Sequence, residues 1–196
     1  MIIRLATPFD GPALAAIYRP SVAERVTSFE LEPPDGAEMA RRVERCVART
    51  PWLVAEREAV VVGYAYAGMH RERPAYQWSV ETSAYVRDDA QRSGVARALY
   101  TALFAVLALQ GFRNAYAGIT LPNVASERFH EALGFRRVGV YHGVGYKFGA
   151  WHDVLWLERE ILPRVADPDP PVTFPGLRGD PVSAAALETA LRGVSG

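Results

Sequence analysis

Gln91-Arg92-Ser93-Gly94-Val95-Ala96 decides how this chain is read. The six residues follow a strand-like run over 78–86 and open an apolar helical run over 95–109. The first N–H groups of a helix lack intrahelical partners, and the helix dipole is positive at that end. A short loop carrying an arginine and a glycine at such a place is a ready anion site. Gly94 lets the main chain approach a bulky ligand, because no Cβ stands in the way. Arg92 brings a permanent charge suited to phosphate. Taken alone, the same residues also describe a plain helix cap.

Working outward, residues 2–6 read as a first strand. Asp10 can cap a helix reaching about Val22, with Pro12 in its first turn. Residues 26–31 read as a loop closed by Pro33-Pro34, and Asp35-Gly36 opens a second helix that ends before Pro51. Residues 52–56 and 60–69 read as paired strands, and 76–87 as a long fourth strand. A helix from Val95 to near Gly111, a strand over 115–119, a helix over 124–133 and strands over 135–141 and 154–159 follow. This order predicts a mixed α/β layer fold. Residues 163–196 hold 6 of the 14 prolines, so the expected organisation is one domain over 1–163 and a Pro-rich tail over 164–196. The tail is expected to be mobile and dispensable, with room for a short helix over 182–191 that could dock on the domain.

A chain of 196 residues is long enough for one well-buried domain. Its 22 basic and 22 acidic residues balance, which argues against a general nucleic-acid or membrane surface. Cys46 is the only cysteine, so no intrachain disulfide forms and a reducing compartment is expected. Its polar helical setting suits a bystander thiol better than a nucleophile. The N-terminus turns polar too quickly for a signal peptide, and no apolar run is long enough to span a bilayer. A cytoplasmic protein is the expectation. His142 and His152 invite a metal reading, but only Asp153 stands near them and no cysteine does, so no metal is expected.

Further stretches accompany the loop. Trp78-Ser79-Val80-Glu81 precedes it; Asn123, the run 124–133 and Gly134-Phe135 follow; Gly145-Tyr146-Lys147-Phe148-Gly149-Ala150-Trp151-His152-Asp153-Val154 comes last. Together they resemble the GNAT superfamily of acyl-CoA-dependent N-acetyltransferases, and within it the phosphinothricin N-acetyltransferase group. The resemblance spans roughly residues 1–163. It implies a GNAT fold, a mixed and mostly antiparallel sheet with splayed central strands and flanking helices. It implies acetyl-CoA as cosubstrate, and direct attack in a ternary complex by the α-amine of a small amino acid-like acceptor, such as phosphinothricin or methionine sulfoximine. A homodimer is also implied.

The resemblance assigns roles residue by residue. Arg92, Ser93, Gly94, Val95, Ala96 and Arg97 would hold the pyrophosphate. Main-chain groups of Ala84, Tyr85 and Val86 would pair with the pantetheine arm, an N–H near Val86 polarising the thioester. Asn123 and Ser126 would face that arm. Glu81 matches the family's general base, acting through water. His130 falls where many relatives carry a proton-donating tyrosine. Phe29 lies in a segment that covers the acceptor.

The residues themselves leave alternatives. Glu81 alternates with apolar neighbours on its strand and reads equally as a solvated carboxylate. Asn123 is a natural N-cap. Asn123, Ser126 and His130 share one helix face by spacing, so His130 either donates a proton or only orients water or substrate. Arg73 could grip an acceptor carboxylate, or belong to a solvated turn. Tyr146, Lys147 and Trp151 suit a lid or a dimer contact. Rival functions are acetylation of a protein or polyamine, and non-catalytic acyl-CoA binding. A nucleotide hydrolase lacks support, because no Gly-Lys-Ser/Thr follows the loop.

Overall fold

Seven strands form a single sheet in the order β1-β2-β3-β4-β5-β7-β6 in the computed structural model, which describes residues 1–192. The strands are β1 Ile2–Leu5, β2 Trp52–Arg57, β3 Val60–Met69, β4 Ser79–Val86, β5 Asn114–Thr120, β6 Arg136–Lys147 and β7 Ala150–Glu160. The helices are α1 Gly11–Ala23, α2 Gly36–Val47, α3 Val95–Gln110, α4 Val124–Glu131, α5 Phe174–Gly179 and α6 Pro181–Arg192. Every neighbouring pair is antiparallel except β4 with β5. This is the splayed, mostly antiparallel sheet that the GNAT resemblance implies.

The sheet is covered on both faces, so its inner strands are apolar almost throughout. On β2, Leu53 and Ala55 join the core under α3 with Leu99, Leu103 and Leu107. Trp52 and Val54 join the opposite core with Leu14, Ile17, Met39 and Val43 of α1 and α2. On β4, Val80 is fully buried towards α3, while Glu81 and Tyr85 turn to the other face.

The parallel pairing of β4 with β5 spans three positions: Ser79 with Asn114, Val80 with Ala115, and Glu81 with Tyr116. Beyond Glu81 and Tyr116 the two strands part. That divergence creates the site.

Local readings shift in four places. Asp10 makes no side-chain bond at the start of α1; its carboxylate accepts both terminal nitrogens of Arg4, at 2.7 and 2.9 Å, and the Thr7 N–H at 2.8 Å. A permanent cation is a stronger partner than a helix amide. Residues 76–78, read as strand, belong to a Pro74–Tyr76 turn and its exit, because proline lacks the ladder donor. Strands β6 and β7 are far longer than expected and meet in one hairpin at Phe148 and Gly149, both at positive φ. The segment 164–196 carries two helices, with Phe174, Leu177 and Leu187 buried against Val106 of α3. Burying each such side chain stabilises by roughly 1.5–3 kcal/mol, enough to hold a proline-rich segment down. The last four residues, 193–196, also assigned to the tail by sequence, lie outside the described residues.

Candidate active site

The parting strands enclose a cleft of about 330 Å³, walled by residues 82–86 of β4 and 117–120 of β5. It runs through the sheet. One mouth meets Ile17, Ser21 and Thr27 on the α1 face; the other meets Ala96, Tyr100, Asn123, Ser126 and His130 on the α3 face. A hollow of about 280 Å³ continues it over Val86, Gln91, Ala96 and Phe129 to Arg92, Gly94 and Arg97.

The loop before α3 shapes this second hollow. Gly94 sits at φ 85°, and a Cβ built on it would meet nothing within 4 Å. The space beside its main chain is open for a ligand. Gly94 O accepts the Ala98 N–H at 3.0 Å, so the N–H groups of Val95, Ala96 and Arg97 begin the helix unpaired. Val95 buries its side chain and offers main chain only. Ser93 is exposed but spends its polar groups on the protein: its hydroxyl donates to Ala90 O at 2.6 Å, and its carbonyl accepts from Arg57 at 3.1 Å. Arg92 and Arg97 are exposed at the rim. Anions fit here by dipole, by free N–H groups and by charge together.

Gly94→Val should weaken acetyl-CoA binding at least about tenfold, or ~1.4 kcal/mol, with the fold retained. The branched side chain would enter the open approach and strain a left-handed residue. Titration calorimetry giving the wild-type affinity would remove the loop from the cofactor site.

Main-chain direction on β4 follows from its ladder with β3. His70 N–H donates to Ser79 O at 3.2 Å, and Arg87 N–H donates to Val62 O at 2.9 Å. Antiparallel bonding alternates, so odd-numbered residues of β4 turn their amides to β3, and Thr82, Ala84 and Val86 turn theirs to the cleft. Ala84 and Val86 thus turn main-chain groups into the cleft. Tyr85 does not. It lines the cleft with its ring, edge-on to Tyr18 at 4.7 Å.

Glu81 occupies the last paired position before the fork. Its Oε1 lies 2.9 Å from Nδ1 of His70, a residue that sequence reading passed over. The His70 ring stacks on Tyr116 at 4.3 Å.

On α4, Asn123 Oδ1 accepts the Ser126 N–H at 3.1 Å, so the asparagine caps the helix and keeps its amide donors free. His130 is 7% exposed. Its Nδ1 lies 2.8 Å from Ser126 O, which can only accept, so Nδ1 carries the proton. Nε2 then accepts from the Tyr100 hydroxyl at 3.2 Å. Burial holds the imidazole below its ordinary pKa, hence neutral near pH 7. Both nitrogens are committed, which favours orientation over proton donation. Burial also pushes the Tyr100 hydroxyl up to about 12.

On the α1 face Arg25 and Thr27 reach the cleft, and the segment 25–30 is tied down by several contacts. Lys147, expected in a lid or dimer contact, is buried and donates to Arg25 O at 3.0 Å and Ser28 O at 2.6 Å. Arg42 grips Glu30 through both oxygens at 2.7 and 2.9 Å. The Phe29 ring lies so close to Gly145 that a Cβ there would fall 2.2 Å from it. Arg73 is exposed just before the Pro74–Tyr76 turn, and among the described residues its side chain has no hydrogen bond or ion pair. Neither Arg73 nor Phe29 lines the cleft between β4 and β5. Cys46 lies in the last turn of α2, away from the cleft, and burial pushes its thiol up to about 11. His142 pairs with Asp153 at 2.9 Å, and His152 donates to Lys147 O at 3.0 Å. No group of three or more His, Cys, Asp or Glu among the described residues could hold a metal ion.

A through-sheet cleft beside a glycine-headed helix, with cradling amides on its open strand, is the architecture of an acyl-CoA-dependent N-acetyltransferase. The chain belongs to the family described as "Acetyltransferase (GNAT) domain", whose model matches residues 3–156. It is 43% identical over 172 residues to the phosphinothricin N-acetyltransferase of Streptomyces viridochromogenes, covering 87% of this chain and 94% of that one. It is 33% identical to the L-methionine sulfoximine/L-methionine sulfone acetyltransferase of Salmonella typhimurium, over 82% and 95% of the two chains. A phosphinothricin acetyltransferase of Sinorhizobium meliloti, crystallised in complex with AcCoA, superposes with a TM-score of 0.79 at 33% identity, covering 88% of this chain and 97% of that one. Acetyl-CoA is the cosubstrate of this transferase, and the residues around Gly94 fit it. No helix among the described residues is long and apolar enough to cross a membrane.

Proposed function

We propose that this enzyme acetylates the α-amine of a small amino acid-like acceptor, of the phosphinothricin or methionine sulfoximine kind, by direct attack in a ternary complex. The observation that carries the reading is Glu81 at the fork of a cleft open to both faces. A thioester reaching in from the α3 face and an amine from the α1 face meet beside that carboxylate. Glu81 takes the amine proton through water as general base. The inward amides of Ala84 and Val86 polarise the thioester carbonyl. The unpaired N–H groups of 95–97, with Arg92 and Arg97, hold the pyrophosphate, and the free amide of Asn123 with Ser126 lines the arm. His130 and Tyr100 fix the α4 wall. The Cys46 thiol stays protonated near pH 7 and lies outside the cleft, which suits direct attack rather than an acyl-enzyme.

A screen of amines with detection of released thiol tests this. Phosphinothricin and methionine sulfoximine should release thiol, and spermidine and a peptide amine should not. The opposite pattern would transfer the assignment to a polyamine or protein acceptor. Silence from every amine would leave an acyl-CoA-binding protein.

We further propose a cytoplasmic homodimer. The β6–β7 hairpin exposes Tyr141, Val144, Tyr146, Phe148 and Trp151, with the Tyr146 and Trp151 rings 5.2 Å apart, and several large apolar side chains exposed on one hairpin suit an interface. Trp151→Glu should convert a sedimenting dimer to a monomer. A wild-type protein that sediments as a monomer at micromolar concentration would end the proposal.

A further inference from the structure

We propose that His70 is a positioning residue for Glu81, holding one carboxylate oxygen so that the other is presented to the acceptor amine. This deepens the proposed function and rests on its reading of Glu81 as the base. The placement comes from three strands. His70 stands one residue past β3, and its N–H donates to Ser79 O of β4 at 3.2 Å. Glu81 lies two residues further along β4, opposite Gly68. Side chains alternate along each strand, so His70 and Glu81 emerge on the same face at diagonal positions. Tyr116 of β5 stands beside Glu81 in the parallel register and supplies the surface on which the imidazole lies.

The bond direction is fixed by chemistry. Nδ1 and Oε1 are 2.9 Å apart, and an ionised carboxylate has no proton to give, so Nδ1–H donates. The ring cannot swing freely. It stacks on Tyr116 at 4.3 Å and 18°, and meets Trp156 edge-on at 6.0 Å and Tyr76 at 6.1 Å. The His70 side chain is 14% exposed and that of Glu81 38% exposed, so the histidine forms the wall and the carboxylate is the reachable member. Glu81 Oε2 makes no hydrogen bond among the described residues. An unheld glutamate samples several rotamers, and a fixed donor removes that freedom before substrate arrives. In the reaction the amine proton passes through water to Oε2, while His70 keeps its own proton on Nδ1.

The test uses kcat and KM with phosphinothricin, and the acetyl-CoA Kd by calorimetry, for variants with wild-type circular dichroism. His70→Phe keeps a flat ring over Tyr116 and removes the donor. It should lower kcat about 10–100-fold while both binding constants stay within about threefold, since a misplaced base harms the chemical step. His70→Asn returns an N–H near Nδ1 and should recover most of that loss; it also carries the test should the phenylalanine variant not fold. In a Glu81→Gln background, His70→Phe should cost less than about twofold, because the group it positions is gone. His70→Phe at wild-type rate, beside a slow Glu81→Gln, would overturn the inference and leave the base intact. An equal loss in both backgrounds would overturn it too, as would an asparagine no better than phenylalanine. A fast Glu81→Gln would remove the base assignment itself.

Discussion

Glu81→Gln lowers turnover by about 10²–10⁴-fold and leaves acetyl-CoA binding within about threefold of wild type. The amide is nearly isosteric and still accepts from His70 Nδ1–H at Oε1, so the fork should keep its shape. What it loses is the ability to take a proton. Steady-state rates, with calorimetry for the cosubstrate, make the comparison. A variant within about threefold of wild type would return Glu81 to a structural role.

Strand alternation put Glu81 on a polar face and no more; its proposed role as base came from the family resemblance. Its neighbour His70 was not legible in the sequence. Eleven residues separate the two, and only the register of β3 against β4 joins them. No period or local motif reports a diagonal cross-strand pair. The fork itself was legible only through the family resemblance. Residues 78–86 and 115–119 read as ordinary strands, and nothing in their pattern says that pairing stops at Glu81 and Tyr116.

Helix ends fared better, because caps are local chemistry. Asp35 accepts the Glu38 N–H at 2.7 Å, and Gly94 and Gly111 bracket α3 at positive φ. Asp10 misled because a sequence shows a capping residue but not Arg4 across the turn. The β6–β7 hairpin was cut short by its own composition. Gly139, Gly143 and Gly145 weaken strand propensity, and the ladder shifts register between 137 and 139 and between 141 and 145. Yet one of those glycines is what admits the Phe29 ring. The tail shows tertiary structure overriding composition: proline-rich sequence reads as solvated until Phe174 and Leu177 find α3.

Replacing the acceptor carboxylate by an amide should cost about 2–4 kcal/mol in transition-state binding, or roughly 30–1000-fold in kcat/KM, if a guanidinium reads it. Arg73 is the residue proposed for that task. It is exposed and without a partner among the described residues, beside the Pro74–Tyr76 turn that follows His70. An unpaired guanidinium in water gives little to an isolated charge, since exposed pairs contribute only about 0.2–1 kcal/mol. The larger effect therefore requires the bound acceptor itself to exclude water from the pair. Arg73→Ala should then remove most of the discrimination and slow the acid substrate. Two substrates and two proteins, compared by kcat/KM, decide the matter. Equal rates for acid and amide in the wild type would sink the amino acid assignment, and a polyamine or peptide acceptor would take its place. Discrimination that survives in Arg73→Ala would keep the pocket and shift the role to Arg71, the other arginine of this loop, whose single bond to His70 O at 3.5 Å is weak enough to exchange for a ligand.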